Sequence, residues 1–143
     1  MNGMMRRLFT YGSLMCSDIM LSVAGACREV GPAVLSGYTR FRVKGEVYPA
    51  VVPREDATVE GVLYDEIDAR ALARLDAFEG EMYSRKTVSV RIGENEFRTA
   101  YTYVLRREFF HFATTETWSF DEFLRTGKGA FTEAYVGYSK LRG

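Results

Sequence analysis

The chain has little of what staples or bridges a fold. It holds two cysteines, Cys16 and Cys27, and one histidine, His111, in 143 residues. Two cysteines make no disulfide framework, and one histidine leaves no clustered ligand set, so no metal site is expected. Cys27 closes an apolar run and reads as a small buried hydrophobe. His111 stands among Phe109, Phe110 and Phe112 and reads as a packing or surface residue. Charge of one sign is lacking too: 19 basic side chains offset 19 acidic ones. Bulk attraction to nucleic acid or to an anionic membrane is therefore not predicted. No stretch approaches the ~20 apolar residues needed to span a bilayer. Arg6 and Arg7 lead directly into a strand pattern, not a signal peptide, so a cytoplasmic location is the expectation. Internal repeats, low-complexity segments and linkers are missing as well.

What is present suits one domain with a real core, residues 1–143, of which 105–143 reads as a C-terminal extension packing on it. Hydrophobic residues make up 47% and aromatics 14%, with ten Phe and nine Tyr. Such aromatic content favours strand-rich packing and supplies phenolic hydroxyls to a polar pocket. Arg7 to Tyr11 reads as a first strand cut off by Gly12. Ser17 or Asp18 then caps a short apolar helix through Ala24. Gly31-Pro32 is expected to break the chain before extended segments at 33–38 and 39–43, bent or hairpinned around Gly37. Tyr48 to Pro53 is extended, Arg54 to Thr58 a polar turn, and Val59 to Tyr64 a strand in which Gly61 marks a bulge or a close backbone approach. Asp68 starts a helix over 69–78, with Leu72, Leu75 and Phe78 on one face. Residues 85–92 and 97–104 alternate with period two around a turn at 93–96, the clearest hairpin in the chain. Ser119 to Glu122 has capping-box spacing and opens a short helix that Gly127-Lys128-Gly129 is expected to end. The order predicts α+β, with a curved or partly closed sheet.

Two places carry possible chemistry. Glu79 lies where the 69–78 helix runs out, between Phe78 and Gly80. A carboxylate there faces the negative end of the helix dipole, which disfavours its ionised form. It is either a misfit at a solvated helix end or a proton carrier with a raised pKa. Asp76 shares its helix face and is expected to stay solvated or to bind local backbone. The second place is Tyr11-Gly12-Ser13-Leu14, where a strand passes into a helix and can present consecutive N–H groups to an anion or a carbonyl oxygen. On spacing alone a plain tight strand-to-helix turn, with Ser13 as a cap, is the better reading of those four residues. A hydrolase triad drawn from Ser13 and His111 lacks the Gly-x-Ser-x-Gly elbow, and no Gly-x-x-x-x-Gly-Lys-Ser/Thr phosphate loop exists.

Taken in order, Tyr11-Gly12-Ser13-Leu14, Tyr48-Pro49-Ala50, Val59 to Tyr64, Leu75-Asp76-Ala77-Phe78-Glu79-Gly80 and Tyr83-Ser84-Arg85 resemble the gamma-glutamylcyclotransferase-like family, in its gamma-glutamylamine cyclotransferase branch. The resemblance covers roughly residues 7–104 and leaves the segment from Leu105 onward without a motif. It implies a small mixed β-barrel with flanking short helices. It also implies cleavage of a γ-glutamyl amide by the substrate's own α-amine, releasing 5-oxoproline and a free amine without metal or organic cofactor. Carried over, Glu79 is the acid/base residue and Tyr11, Gly12, Ser13 and Leu14 hold the γ-glutamyl group. Tyr48, Tyr83 and Tyr103 are supporting binding residues. The partners implied are a small γ-glutamyl substrate and at most a weak homodimer, with no nucleic acid and no membrane. The alternative on the same barrel is a non-enzymatic small-molecule binding or interaction protein in which Glu79 recognises an amine.

Overall fold

The computed structural model describes residues 6–132. Five strands close into a mixed barrel in the order β1-β3-β2-β4-β5: β1 Arg6–Thr10, β2 Arg28–Arg42, β3 Pro49–Ile67, β4 Tyr83–Arg91 and β5 Phe97–Leu105. All pairings are antiparallel except the closing one, in which β1 runs parallel to β5. Alternate residues of all five strands, among them Phe9, Leu35, Leu63, Val90 and Ala100, meet in one buried cluster that fills the barrel. This is the period-two pattern expected of strands with one face turned inward. The opposite face of β1 and β3, with Leu8, Tyr64 and Ile67, packs under two helices, α1 Ser17–Ala24 and α2 Ala69–Glu79.

α2 begins where the Asp68 side chain accepts the Ala71 N–H at 2.8 Å, and it ends at Gly80, whose φ of 81° is open to glycine at little cost. Arg74 on α2 donates to the carbonyls of Val23 and Ala24, so a cation sits at the C-terminal end of α1.

Gly31-Pro32 does not break the chain. Both lie inside β2, where Gly31 takes φ 135° at a register shift and Pro32 stands opposite Val62. β4 pairs with β2 only at Val34 and Leu35, so Pro32 has a strand on one side alone and its missing N–H costs no ladder bond there. The 33–43 segment is a bent strand, not a hairpin. Its bend is at Gly37: Ser36 faces Thr58 and Tyr38 faces Pro53, so Gly37 alone stands against residues 54–57. The polar turn expected there is thus a bulge carried within one continuous strand, with Asp56 at φ 68°. The hairpin of β4 and β5 pairs from Tyr83–Leu105 to Arg91–Phe97.

After a 3-10 turn, Arg107–Phe112, the chain crosses the tip of the β2–β3 hairpin. Lys44 and Arg42 donate backbone N–H groups to Phe112 and Glu116, each at 3.0 Å, and the Trp118 indole donates to the Val47 carbonyl at 2.8 Å. Ser119 caps α3 Phe120–Glu122, which continues through a π-helical turn, Phe123–Gly127, into α4 Lys128–Phe131. The helix therefore does not end at Gly127-Lys128-Gly129. Gly127 is buried against the hairpin tip, where a Cβ would lie 3.2 Å from that of Val47, so this glycine permits a close approach inside a helical run. Tyr135 and Tyr138 lie outside the described residues. No helix among the described residues is long and apolar enough to cross a membrane.

Candidate active site

At one end of the barrel a pocket opens between the end of β1, the β2–β3 hairpin tip, the end of α2 and α4. Tyr11, Gly12, Ser13, Leu14, Tyr48, Glu79, Tyr83 and Tyr103 all line it. The eight come from distant parts of the chain, and barrel closure brings them to one rim.

The loop after β1 owes its shape to sterics. Gly12 passes under Pro49, and a Cβ there would come within 2.9 Å of two ring carbons. Ser13–Met15 then forms a 3-10 turn in which Met15 and Cys16 donate back to Gly12 and Ser13. The N–H groups of Ser13 and Leu14 precede those bonds and take no part in them. Arg40 holds the strand end in place. Its guanidinium donates to the Tyr11 carbonyl at 2.8 Å and to that of Glu60 at 3.0 Å, and it lies over the Trp118 ring at 5.2 Å.

Glu79 is the last residue of α2. The residue as a whole is half-buried, but its carboxyl group is enclosed by protein, and its pKa is pushed up to about 8. Burial is the larger cause and the negative charge of Asp76 the smaller. Asp76 is neither simply solvated nor bound to local backbone. It accepts the Tyr103 hydroxyl at 2.6 Å and pairs with Arg85 at 3.3 Å, and Arg85 in turn lies over Tyr101 at 4.7 Å. Three tyrosine hydroxyls are spent on the protein itself: Tyr103 on Asp76, Tyr11 on the Tyr103 carbonyl at 2.6 Å, and Tyr83 on the Pro49 carbonyl at 3.0 Å. Burial, with Asp76 and Glu79 adding to it, holds the Tyr103 phenol protonated, and burial does the same for Tyr11.

Phe78, Met82 and Phe131 complete the apolar part of the wall. Phe131 was not legible in the sequence, because the glycines before it read as a helix stop and its place in the pocket depends on packing across the hairpin tip. His111 is exposed and stacks against Phe109 and Phe112, outside the pocket that contains Ser13. Cys16 is buried, Cys27 only half-buried, and both are free thiols. Among the described residues no three His, Cys, Asp or Glu side chains gather as a metal site would require.

A family model described as gamma-glutamyl cyclotransferase, AIG2-like, matches residues 8–120. The chain belongs to this family. The match runs past Leu105 and takes in the segment that crosses the hairpin tip, which the sequence motifs left unassigned. AIG2-like protein A of Arabidopsis thaliana is 31% identical over 134 residues, covering 92% of this chain and 79% of that protein. A solution structure from Arabidopsis thaliana aligns with a TM-score of 0.67 at 30% identity, over 96% of this chain and 93% of the other. A structure described as a gamma-glutamyl cyclotransferase aligns with a TM-score of 0.66 over 72% of this chain and 68% of its own, at 17% identity, which marks a shared barrel. In this chain the loop, the carboxyl group and the aromatic wall converge on the pocket at the barrel end.

Proposed function

We propose that the protein is a cyclotransferase that cleaves a γ-glutamyl amide, with Glu79 carrying the proton between two nitrogens. The observation behind this reading is the enclosed Glu79 carboxyl with its pKa near 8, lining the same pocket as the Tyr11–Leu14 loop. An ordinary glutamate near ~4.3 is too weak a base to take a proton from an amine. One that titrates near 8 can accept a proton and return it within a single turnover.

From the neutral α-amine the reaction balances as follows. The α-nitrogen attacks its own γ-carbonyl carbon, forming the ring C–N bond, and the carbonyl oxygen becomes an oxyanion. Glu79 takes one N–H proton from the attacking nitrogen. The oxyanion collapses, the original amide C–N bond breaks, and the same proton passes to the departing nitrogen. The products are 5-oxoproline and a free amine. Because the attack is intramolecular, the protein chiefly has to fold the substrate and steady the oxyanion. The N–H groups of Ser13 and Leu14 are the donors for that role. The committed tyrosine hydroxyls shape the site, and their oxygens keep lone pairs for the substrate ammonium.

The test is release of 5-oxoproline from a panel of γ-glutamyl amides by the wild type and by Glu79→Gln. Turnover by the wild type and loss of at least about 100-fold in kcat for the variant are expected. Equal turnover by both would remove Glu79 from the mechanism.

A further inference from the structure

The pocket has two unlike halves. One is the loop of Gly12, Ser13 and Leu14 beside Glu79, a polar half suited to the γ-glutamyl group. The other is an aromatic wall. The Phe131 ring meets Tyr48 edge-on at 6.0–6.4 Å separation together with Phe78, at 71° to each. Phe123 backs Phe131 at 5.6 Å, and Trp118 backs Phe123 at 5.6 Å. This wall is fixed from behind, so it is a preformed surface for an apolar group. Met82, half-buried, adds a polarisable thioether to the same lining.

No lysine or arginine among the described residues lines the pocket. Neighbouring cations are engaged elsewhere: Arg40 on backbone carbonyls, Arg85 on Asp76 and Lys128 on Asp18. A leaving amine that is itself an amino acid would bring a carboxylate against this wall with no cation among the described residues to meet it, at a desolvation cost. An aromatic or branched alkyl body meets matching surface.

Resting on the cyclotransferase reading, we infer that the amine released is an apolar one, carrying an aromatic or bulky aliphatic group and no carboxylate. The wall of Tyr48, Phe78 and Phe131 is its subsite.

The experiment compares γ-glutamyl amides that differ only in the amine: phenethylamide, isopentylamide, γ-glutamylglycine, γ-glutamyl-ε-lysine and glutathione. The kcat/KM for 5-oxoproline release is expected to favour the phenethylamide over γ-glutamylglycine by at least about tenfold. Phe131→Leu should shrink that ratio by lowering kcat/KM for the phenethylamide more than for γ-glutamylglycine, with the melting temperature checked alongside. Met82→Lys should shift the preference toward γ-glutamylglycine by giving its carboxylate a partner. Calorimetric affinities of the same amides for Glu79→Gln read the subsite without turnover. If γ-glutamylglycine or glutathione equals or exceeds the phenethylamide in both measurements, the apolar subsite is refuted while the cyclotransferase reading stands. Preferential binding of the phenethylamide with no turnover of any amide would sink the cyclotransferase reading and keep the subsite. Neither binding nor turnover would end both.

Discussion

At the scale of single residues, Glu79 and Asp76 separate the two parts of one pKa shift. Glu79 titrates near 8 in the folded chain, against an ordinary 4.5, through burial first and Asp76 second. As a base it must be ionised, so kcat/KM should rise with pH and level off above about 8. Asp76→Asn keeps an oxygen to accept the Tyr103 hydroxyl but removes the charge, so the inflection should move to lower pH. An unmoved inflection would exclude Asp76 from tuning Glu79. The same shift has a stability consequence with a definite sign. Between pH 4.5 and about 8 the unfolded chain has lost the Glu79 proton and the folded chain keeps it, so rising pH across that window favours unfolding. Glu79→Gln cannot ionise. Its melting temperature relative to wild type should therefore climb from pH 4.5 to 8 and flatten above. A difference that stays constant across this window would contradict a buried, proton-holding carboxyl. The misplaced carboxylate was legible in the sequence because a helix stop follows it at Gly80. Its chief cause was not: burial depends on which surfaces close over the helix end, and nothing local encodes that.

At the scale of elements, close approach decides what each strand can carry. Gly61 of β3 lies where a Cβ would come within 2.1 Å of the Thr10 carbonyl oxygen and 2.7 Å of the Phe9 ring. Backbone cannot yield as a flexible side chain can, so Gly61→Ala should cost about 3 kcal/mol in denaturant unfolding. A loss within error of zero would show that β1 and β3 can separate freely. Gly12→Ala makes a different clash, with the Pro49 ring at the pocket itself. It should displace the Ser13 and Leu14 N–H groups and lower kcat more than stability, read as 5-oxoproline release beside a thermal melt. The close approach at Gly61 was one of two readings of a glycine inside a strand, the other being a bulge, and the structure selects it. The continuity of β2 through Gly31-Pro32 was not foreseeable. Whether a proline breaks a strand depends on whether a neighbour needs its N–H, and β4 does not reach that far.

At the scale of the whole molecule, the segment after β5 sets the far wall of the pocket. Trp118 joins three parts: its indole bonds the hairpin tip, its ring receives Arg40 from β2, and its other neighbours are Phe120 and Phe123. Trp118→Leu should cost about 3 kcal/mol and raise KM, because Tyr48 and Phe131 then lose the backing that fixes them. An unchanged KM with lowered stability would confine Trp118 to the core. The sequence by itself determined the strand-rich order, the capped helix, which it placed over 69–78, and the β4–β5 hairpin, since periodicity, caps and turn residues are local signals. The loop and the carboxyl stood out only through the order of the family's motifs. The motifs implied a mixed barrel, but only the tertiary structure decided that β1 closes it against β5, that Glu79 is enclosed, that Asp76 turns to Tyr103 and Arg85, and that Phe131 returns to face Tyr48. Those outcomes rest on contacts between residues far apart in the chain. Burial and charge act through space, and no local pattern carries them.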